Sequence, residues 1–275
     1  MLSLNGKMSF TRFRNTLWQH YKTYGRHALP WRLTTNPYRI LVSEVMLQQT
    51  QVERVIPFYR AWLKKFPTAR ALAKTSLSDV LKMWQGLGYN RRAKMLHLAA
   101  KAIVNQGGVF PKTVEALEAL PGIGPYTARA VAAFAYNQDV TFIETNIRTV
   151  FIHHFFSDRT TVTDAELALL VTKALPKGRA REWYAALMDY GSYLKRSGIR
   201  TNARVKGYTK QSTFEGSVRQ ARGMILKTLV RGSRDATFLI DILGAKRRAQ
   251  VKSQLASLTK EGMIELYRGK FRLPK

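Results

Sequence analysis

No cysteine occurs among the 275 residues. That absence excludes disulfides, zinc–thiolate sites and cysteine-ligated iron–sulfur clusters. Histidine is sparse, with five scattered residues, so no metal is expected. Carboxylates are scarce as well: 17 Asp and Glu stand against 46 Lys and Arg, a net charge of +29. A field of that sign and size favours a polyanion, either nucleic acid or an anionic membrane surface. The membrane is disfavoured, because no uninterrupted apolar run is long enough to span a bilayer. The opening stretch "MLSLNGKMSF" lacks the apolar core and cleavage site of a signal peptide. A cytoplasmic, nucleoid-associated location is therefore expected, with nucleic acid as partner. What is present suffices for real cores: 45% of residues are hydrophobic and 11% aromatic, which excludes a disordered tail.

The apolar residues recur at helical spacing. Phe10, Phe13, Leu17, Tyr21 and Tyr24 mark a helix over 9–24. Asn36-Pro37 opens another through Ile40, Leu41, Val45 and Leu47, with proline at the first turn, where its missing N–H does no harm. Further periodic segments cover 51–65, 77–84, 91–105, 112–119, 125–136, 145–155, 163–174 and 180–195, separated by Gly/Pro punctuation. With no strand alternation before 215, residues 1–195 are expected to form one all-α domain. Residues 196–214 are expected to be a basic linker, because "KRSGIRTNARVKGYTKQS" carries basic residues and no acid. Residues 215–275 predict helices near 216–231, 235–243 and 246–260. Two strand-like runs, "MIELY" and "KFRLP", then surround the turn at Arg268-Gly269, a small winged-helix-like (α+β) domain. The third of these helices opens "KRRAQVK", which suits either a helix meeting DNA or a solvated basic face.

The most specific stretch is "LEALPGIGPYTARAVAAFAY", from Leu117 to Tyr136. A helix ends near Leu120, the turn Pro121-Gly122-Ile123-Gly124 follows, and a second helix starts at Pro125, bringing Tyr126 and Thr127 into its first turn. Glycines allow close backbone approach, and N–H groups at a helix N-terminus favour an anion. Such a hairpin holds a DNA phosphate without reading sequence.

Together, "LPWR", "PYRILVSEVMLQQTQV", "WQGLGYNRRAKMLHLAA" and "LPGIGPYTARAVAAFAY" resemble the helix-hairpin-helix (HhH-GPD) superfamily of DNA base-excision glycosylases. Within it they are most similar to the adenine DNA glycosylases (MutY), over roughly residues 29–194. The resemblance implies the all-α helix-hairpin-helix glycosylase fold, a monomer, and duplex DNA containing a mispair or damaged base as partner. It further implies that adenine mispaired with 8-oxoguanine or guanine is rotated into a pocket and removed by hydrolysis. Glu44 stands where the family places its general acid, among Val42, Val45, Met46 and Leu47. An apolar pocket raises a carboxylic acid's pKa, so it can protonate adenine and afterwards activate water. In "FIETNIRTV", Glu144 occupies the place of the aspartate that stabilises an oxocarbenium-like sugar. Its extra methylene moves the carboxylate by about 1.5 Å. Alternatively, Glu144 only caps the helix that follows. Tyr126 stands where strand-cutting relatives carry a Schiff-base lysine, which implies a monofunctional enzyme without strong AP-lyase activity. Gln49 matches a glutamine that enters the base stack and Tyr89 an aromatic wedge. Trp31, Arg32, Leu47 and Thr50 match positions around the flipped adenine, and Asp189 matches an acid that reads an adenine edge.

Two departures stand out. Most relatives hold a 4Fe–4S cluster with four cysteines after the segment that reads "MDYG" here; this chain continues from Lys195 without cysteine, so no cofactor is expected. The residues after 215 are also too few for the Nudix-like domain that usually recognises 8-oxoguanine. Two other functions remain open. Tyr126 also suits a mismatch glycosylase for thymine or uracil opposite guanine, although the acid in "SEVMLQQT" favours adenine. A non-catalytic DNA-binding module, its chemistry lapsed at Glu144, is disfavoured by the complete motif around Glu44.

Overall fold

The structure, a computed structural model, describes residues 8–199, 201 and 213–274. The first helices are α1 (Phe10–Tyr24), α2 (Pro37–Leu47), α3 (Val52–Lys65), α4 (Ala69–Lys74), α5 (Leu77–Trp84) and α6 (Arg91–Asn105). They are followed by α7 (Val114–Glu118), α8 (Pro125–Tyr136), α9 (Thr145–Phe155), α10 (Asp164–Ala174) and α11 (Ala180–Arg196). The chain closes with α12 (Val218–Val230), α13 (Ala236–Asp241), a 3₁₀ turn over Ala245–Arg247, α14 (Arg248–Lys260), and strands β1 (Glu265–Tyr267) and β2 (Lys270–Arg272).

Starts follow side-chain caps. Ser9 accepts from Arg12 N at 3.3 Å, and Thr163 forms a reciprocal capping box with Glu166. Helix α4, six residues long, is not among the expected segments. Its local signal is Thr68, whose hydroxyl accepts from Ala71 N at 3.1 Å. None of the described helices is long and apolar enough to cross a membrane.

The described residues pack as two compact units, Met1–Glu44 with Lys112–Glu118 and Gly124–Lys210, and Val45–Pro111 with Ala119–Ile123 and Gln211–Lys275. This partition differs from boundaries at 195 and 215. Helical periodicity identifies a buried face but not its partner, so a chain that leaves a unit and returns to it looks continuous in sequence. The expected basic linker, 196–214, lies mostly outside the described residues.

In the first unit α11 packs on α9, α1 and α8, and α10 packs on α9. The core is rich in aromatics: the Phe13 ring lies edge-on to Phe151, Phe155 and Trp183 at 5.2, 5.0 and 5.9 Å. Gly191 lets α11 approach the start of α9, since a Cβ there would collide with the carbonyl oxygen of Asn146. We expect Gly191→Ala to destabilise the protein by about 1–3 kcal/mol, read as a lowered thermal midpoint.

In the second unit α6 packs against α4 and α5, while α12 packs against α14, α5 and β2. The last three helices and an antiparallel hairpin, Leu266 opposite Phe271, appear in the expected order. In the basic run that opens α14, Arg247 points inward: it donates to Gln250 Oε1 (2.8 Å), Gln220 Oε1 (2.7 Å) and the Ser217 carbonyl (3.0 Å). Lys246 and Arg248 beside it are exposed.

Candidate active site

Helix α2 begins at Asn36, whose side chain accepts from Arg39 N at 3.1 Å, with Pro37 as first residue. Two turns later it carries Glu44, 6% exposed. The Tyr126 hydroxyl, from the first turn of α8, donates to Glu44 Oε2 at 3.2 Å. Burial pushes the Glu44 pKa up to about 7; the Tyr126 hydrogen bond opposes that rise, and the charge of Glu144 adds to it. Burial and the two carboxylates hold the Tyr126 phenol well above its ordinary pKa, so it remains a donor.

Glu144 is the N-cap of α9. Its Oε1 accepts from the backbone N–H of Asn146 (2.6 Å) and Ile147 (2.8 Å), and its Oε2 from Thr145 Oγ1 (3.1 Å) and Asn146 Nδ2 (3.2 Å). All four partners are donors, which suits an anion at the positive end of a helix. Lys195 Nζ donates to Thr145 Oγ1 at 3.0 Å. Burial lowers the Lys195 pKa, and the charge of Glu144 works against that shift.

Asp189, on α11, is 3% exposed and faces two arginines. Arg26 donates through its backbone N (2.8 Å) and Nε (2.6 Å), and Arg32 through both terminal nitrogens (2.5 and 2.9 Å). Burial disfavours its charge, yet Arg32 and Arg26 hold its pKa below the ordinary carboxylate value. Both oxygens are thus occupied, and Asp189 fixes Arg32 rather than presenting a bare carboxylate to an adenine edge. Trp31, next to Arg32, is buried.

These residues and Thr127 belong to the first unit; Leu47, Gln49, Thr50, Tyr89 and Pro121–Ile123 belong to the second. Leu47 ends α2, and the Thr50 hydroxyl donates to the Gln48 carbonyl at 3.2 Å. Gln49 and Tyr89 are exposed and share a left-handed backbone, φ 53° and 46°. A cavity of about 550 Å³ opens beside them, with Asn90, Arg91, Arg222 and Glu261 in its lining. In the hairpin, Ile123 N donates to the Leu120 carbonyl at 3.1 Å, and Gly122 takes φ 74° against Met95, where a Cβ would collide. Gly124 is the N-cap of α8 and Pro125 its first residue, as expected.

Nothing in the sequence marks Arg26 as a partner of Asp189, or Arg92 as a partner of the turn carbonyls. Among 46 basic residues, charge distinguishes neither. Helical spacing held a signal for Arg92: it shares a stripe with Leu96, Ala99 and Ile103, all buried on α6.

Among the described residues no group of three or more His, Asp or Glu is placed to share a metal ion. A cysteine-held 4Fe–4S cluster does not fit a chain that contains no cysteine.

A family profile described as HhH-GPD superfamily base excision DNA repair protein matches residues 42–176. The chain is 37% identical over 262 residues to the adenine DNA glycosylase of Mycolicibacterium smegmatis, covering 88% of this chain and 89% of that protein. It is 36% identical over 195 residues to the adenine DNA glycosylase of Homo sapiens, covering 66% of this chain and 36% of that one. Among solved structures, a thermostable thymine-DNA glycosylase superposes with a TM-score of 0.60 at 27% identity, covering 66% of this chain and 86% of that one. A non-covalent endonuclease III–DNA complex superposes with a TM-score of 0.55 at 18% identity, covering 68% and 86%, a likeness of fold alone.

Proposed function

Because the chain belongs to the HhH-GPD superfamily of base excision DNA repair proteins, and within it to the adenine DNA glycosylases, we propose that Glu44 is the acid that protonates the departing adenine. The chain is a DNA N-glycosylase of base excision repair. Adenine leaves the sugar poorly until a ring nitrogen carries a proton. An acid with a pKa of about 7 still holds a proton near neutrality and is strong enough to give it up. As the N-glycosidic bond breaks, positive charge grows on the sugar, and the Glu144 carboxylate supplies the opposing charge. Glu44, now ionised, accepts a proton from the water that attacks the sugar carbon. Tyr126 stays bonded to Glu44 Oε2 and steadies the carboxylate.

The observation that carries this assignment is the buried Glu44 bonded to a phenol on the first turn of α8. That phenol is no nucleophile towards the sugar, so the enzyme is monofunctional and leaves the strand intact. The substrate is duplex DNA with adenine opposite 8-oxoguanine or guanine, the protein acts as a monomer, and it needs no cofactor. Gln49 and Tyr89 enter the stack as the target base leaves it, and Trp31 and Arg32 line its pocket. Leu47 and Thr50 complete the set of residues assigned to the base.

A second activity, removal of thymine opposite guanine, draws on Tyr126 and on the likeness to a thymine-DNA glycosylase. Single-turnover release from duplexes with A·8-oxoG, A·G, A·C, T·G and U·G separates the two. Strand breaks are scored before and after alkali. Adenine release revealed only by alkali is the expected result. Release of thymine instead would transfer the activity, and breaks before alkali would refute monofunctional cleavage.

A further inference from the structure

Gln49 and Tyr89 are held in a conformation that residues other than glycine seldom adopt, at a cost on the order of 1 kcal/mol each. Such a backbone persists only where its surroundings enforce it. One side chain reaches both turns. The Arg92 guanidinium donates to the carbonyls of Val45 (2.8 Å), Met46 (3.0 Å) and Gln48 (2.5 Å), and to Thr50 Oγ1 (3.2 Å), so its contacts bracket Gln49. It also donates to the carbonyl of Gly88 (3.1 Å), immediately before Tyr89. Val45 and Met46 lie in the last turn of α2, whose carbonyls have no partner within the helix. The guanidinium carbon lies 5.5 Å from the Tyr89 ring centroid and 5.4 Å from that of Trp84. Among the described residues Arg92 enters no ion pair, so carbonyl oxygens take the place a carboxylate usually holds. Burial lowers its pKa to about 10, still high enough to keep it charged near neutrality.

We propose that Arg92 is a positioning residue that ties the turn after α2 to the turn before α6, so that Gln49 and Tyr89 meet the duplex as one preset wedge. The proposal rests on the assignment of those two residues to the base stack. A planar fork with several N–H vectors reaches both turns at once, whereas an ammonium is a single point donor. The role is therefore specific to arginine, and its product is base-pair opening rather than bond cleavage.

The test is single-turnover adenine release by the wild type and Arg92→Lys from two substrates. One carries the adenine mispair; the other carries the same adenine in an unpaired bubble, where no pair has to be opened. Arg92→Lys is expected to lose on the order of 10²-fold on the mispair and to stay within roughly threefold of wild type on the bubble, with an unchanged pH profile. An equal loss on both substrates, or no loss on the mispair, overturns the proposal. If Arg92→Lys does not fold, Arg92→Gln, whose amide still donates to carbonyls, takes the same test. Failure of both to fold overturns the proposal too and makes Arg92 part of the core. A wild type that releases no adenine from either substrate refutes the functional assignment instead.

Discussion

Glu44→Gln is expected to stop adenine release, slowing it by at least about 10³-fold, while duplex binding stays within roughly threefold. One side chain is both acid and base in the proposed reaction, and each role alone is worth about 10²–10⁴-fold. Glutamine keeps the acceptor for the Tyr126 hydroxyl but has no proton to deliver. The same variant carries a signature in stability. The Glu44 pKa rises from 4.5 to about 7 on burial, so between those values the folded chain holds a proton that the unfolded chain has released. Stability therefore falls as pH rises through that window, and the full loss, on the order of 3 kcal/mol, is reached above pH 7. Glutamine removes the loss, so Glu44→Gln is more stable than wild type at pH 8 and close to it below pH 4.5. Urea unfolding of both proteins at the two ends of the window measures the difference. A stability gap that does not change with pH would contradict the buried acid. Wild-type adenine release should decline as pH rises past about 7, because the protonated fraction falls.

Glu144 caps α9 and is proposed to oppose the charge on the sugar, and two substitutions separate these roles. Serine is a good N-cap without charge, and aspartate is a good N-cap with charge. Glu144→Ser should therefore keep stability within about 1 kcal/mol yet lose roughly 10²–10³-fold in single-turnover release, the scale of a missing electrostatic stabiliser. Glu144→Asp should keep both, within about tenfold. The side chain already curls back onto Asn146 N and Ile147 N, which absorbs its extra methylene. If Glu144→Ser releases adenine at the wild-type rate, the residue is only a cap.

Most helix positions were legible because long amphipathic segments repeat their apolar residues many times; α4 was not among them. The hairpin was legible for a different reason: Gly122 and Pro125 are tied to backbone conformations that few other residues accept. Packing partners were not legible, and so neither was the two-unit division. The environment of Glu44 could be inferred from its apolar neighbours, but the hydroxyl that faces it comes from a residue 82 positions away. Asp189 shows the converse. Its place in the sequence suggested an edge-reading acid, and its function in the fold depends on Arg26 and Arg32, more than 150 positions earlier. Gln49 and Tyr89 were legible as types, yet nothing in their chemistry announces a left-handed backbone; tertiary contacts impose it.

The C-terminal elements carry one more consequence. Helix α12 packs on α5, Arg219 donates to the Tyr89 hydroxyl at 2.9 Å, and Lys94 donates to the Glu261 carbonyl. An accessory domain joined by a tether can be lost, exchanged or inherited separately, and the remainder still folds. Here the last helices finish a body that began at Val45, so a chain shortened before residue 213 would lose the Arg219 bond to Tyr89 along with a face of its core.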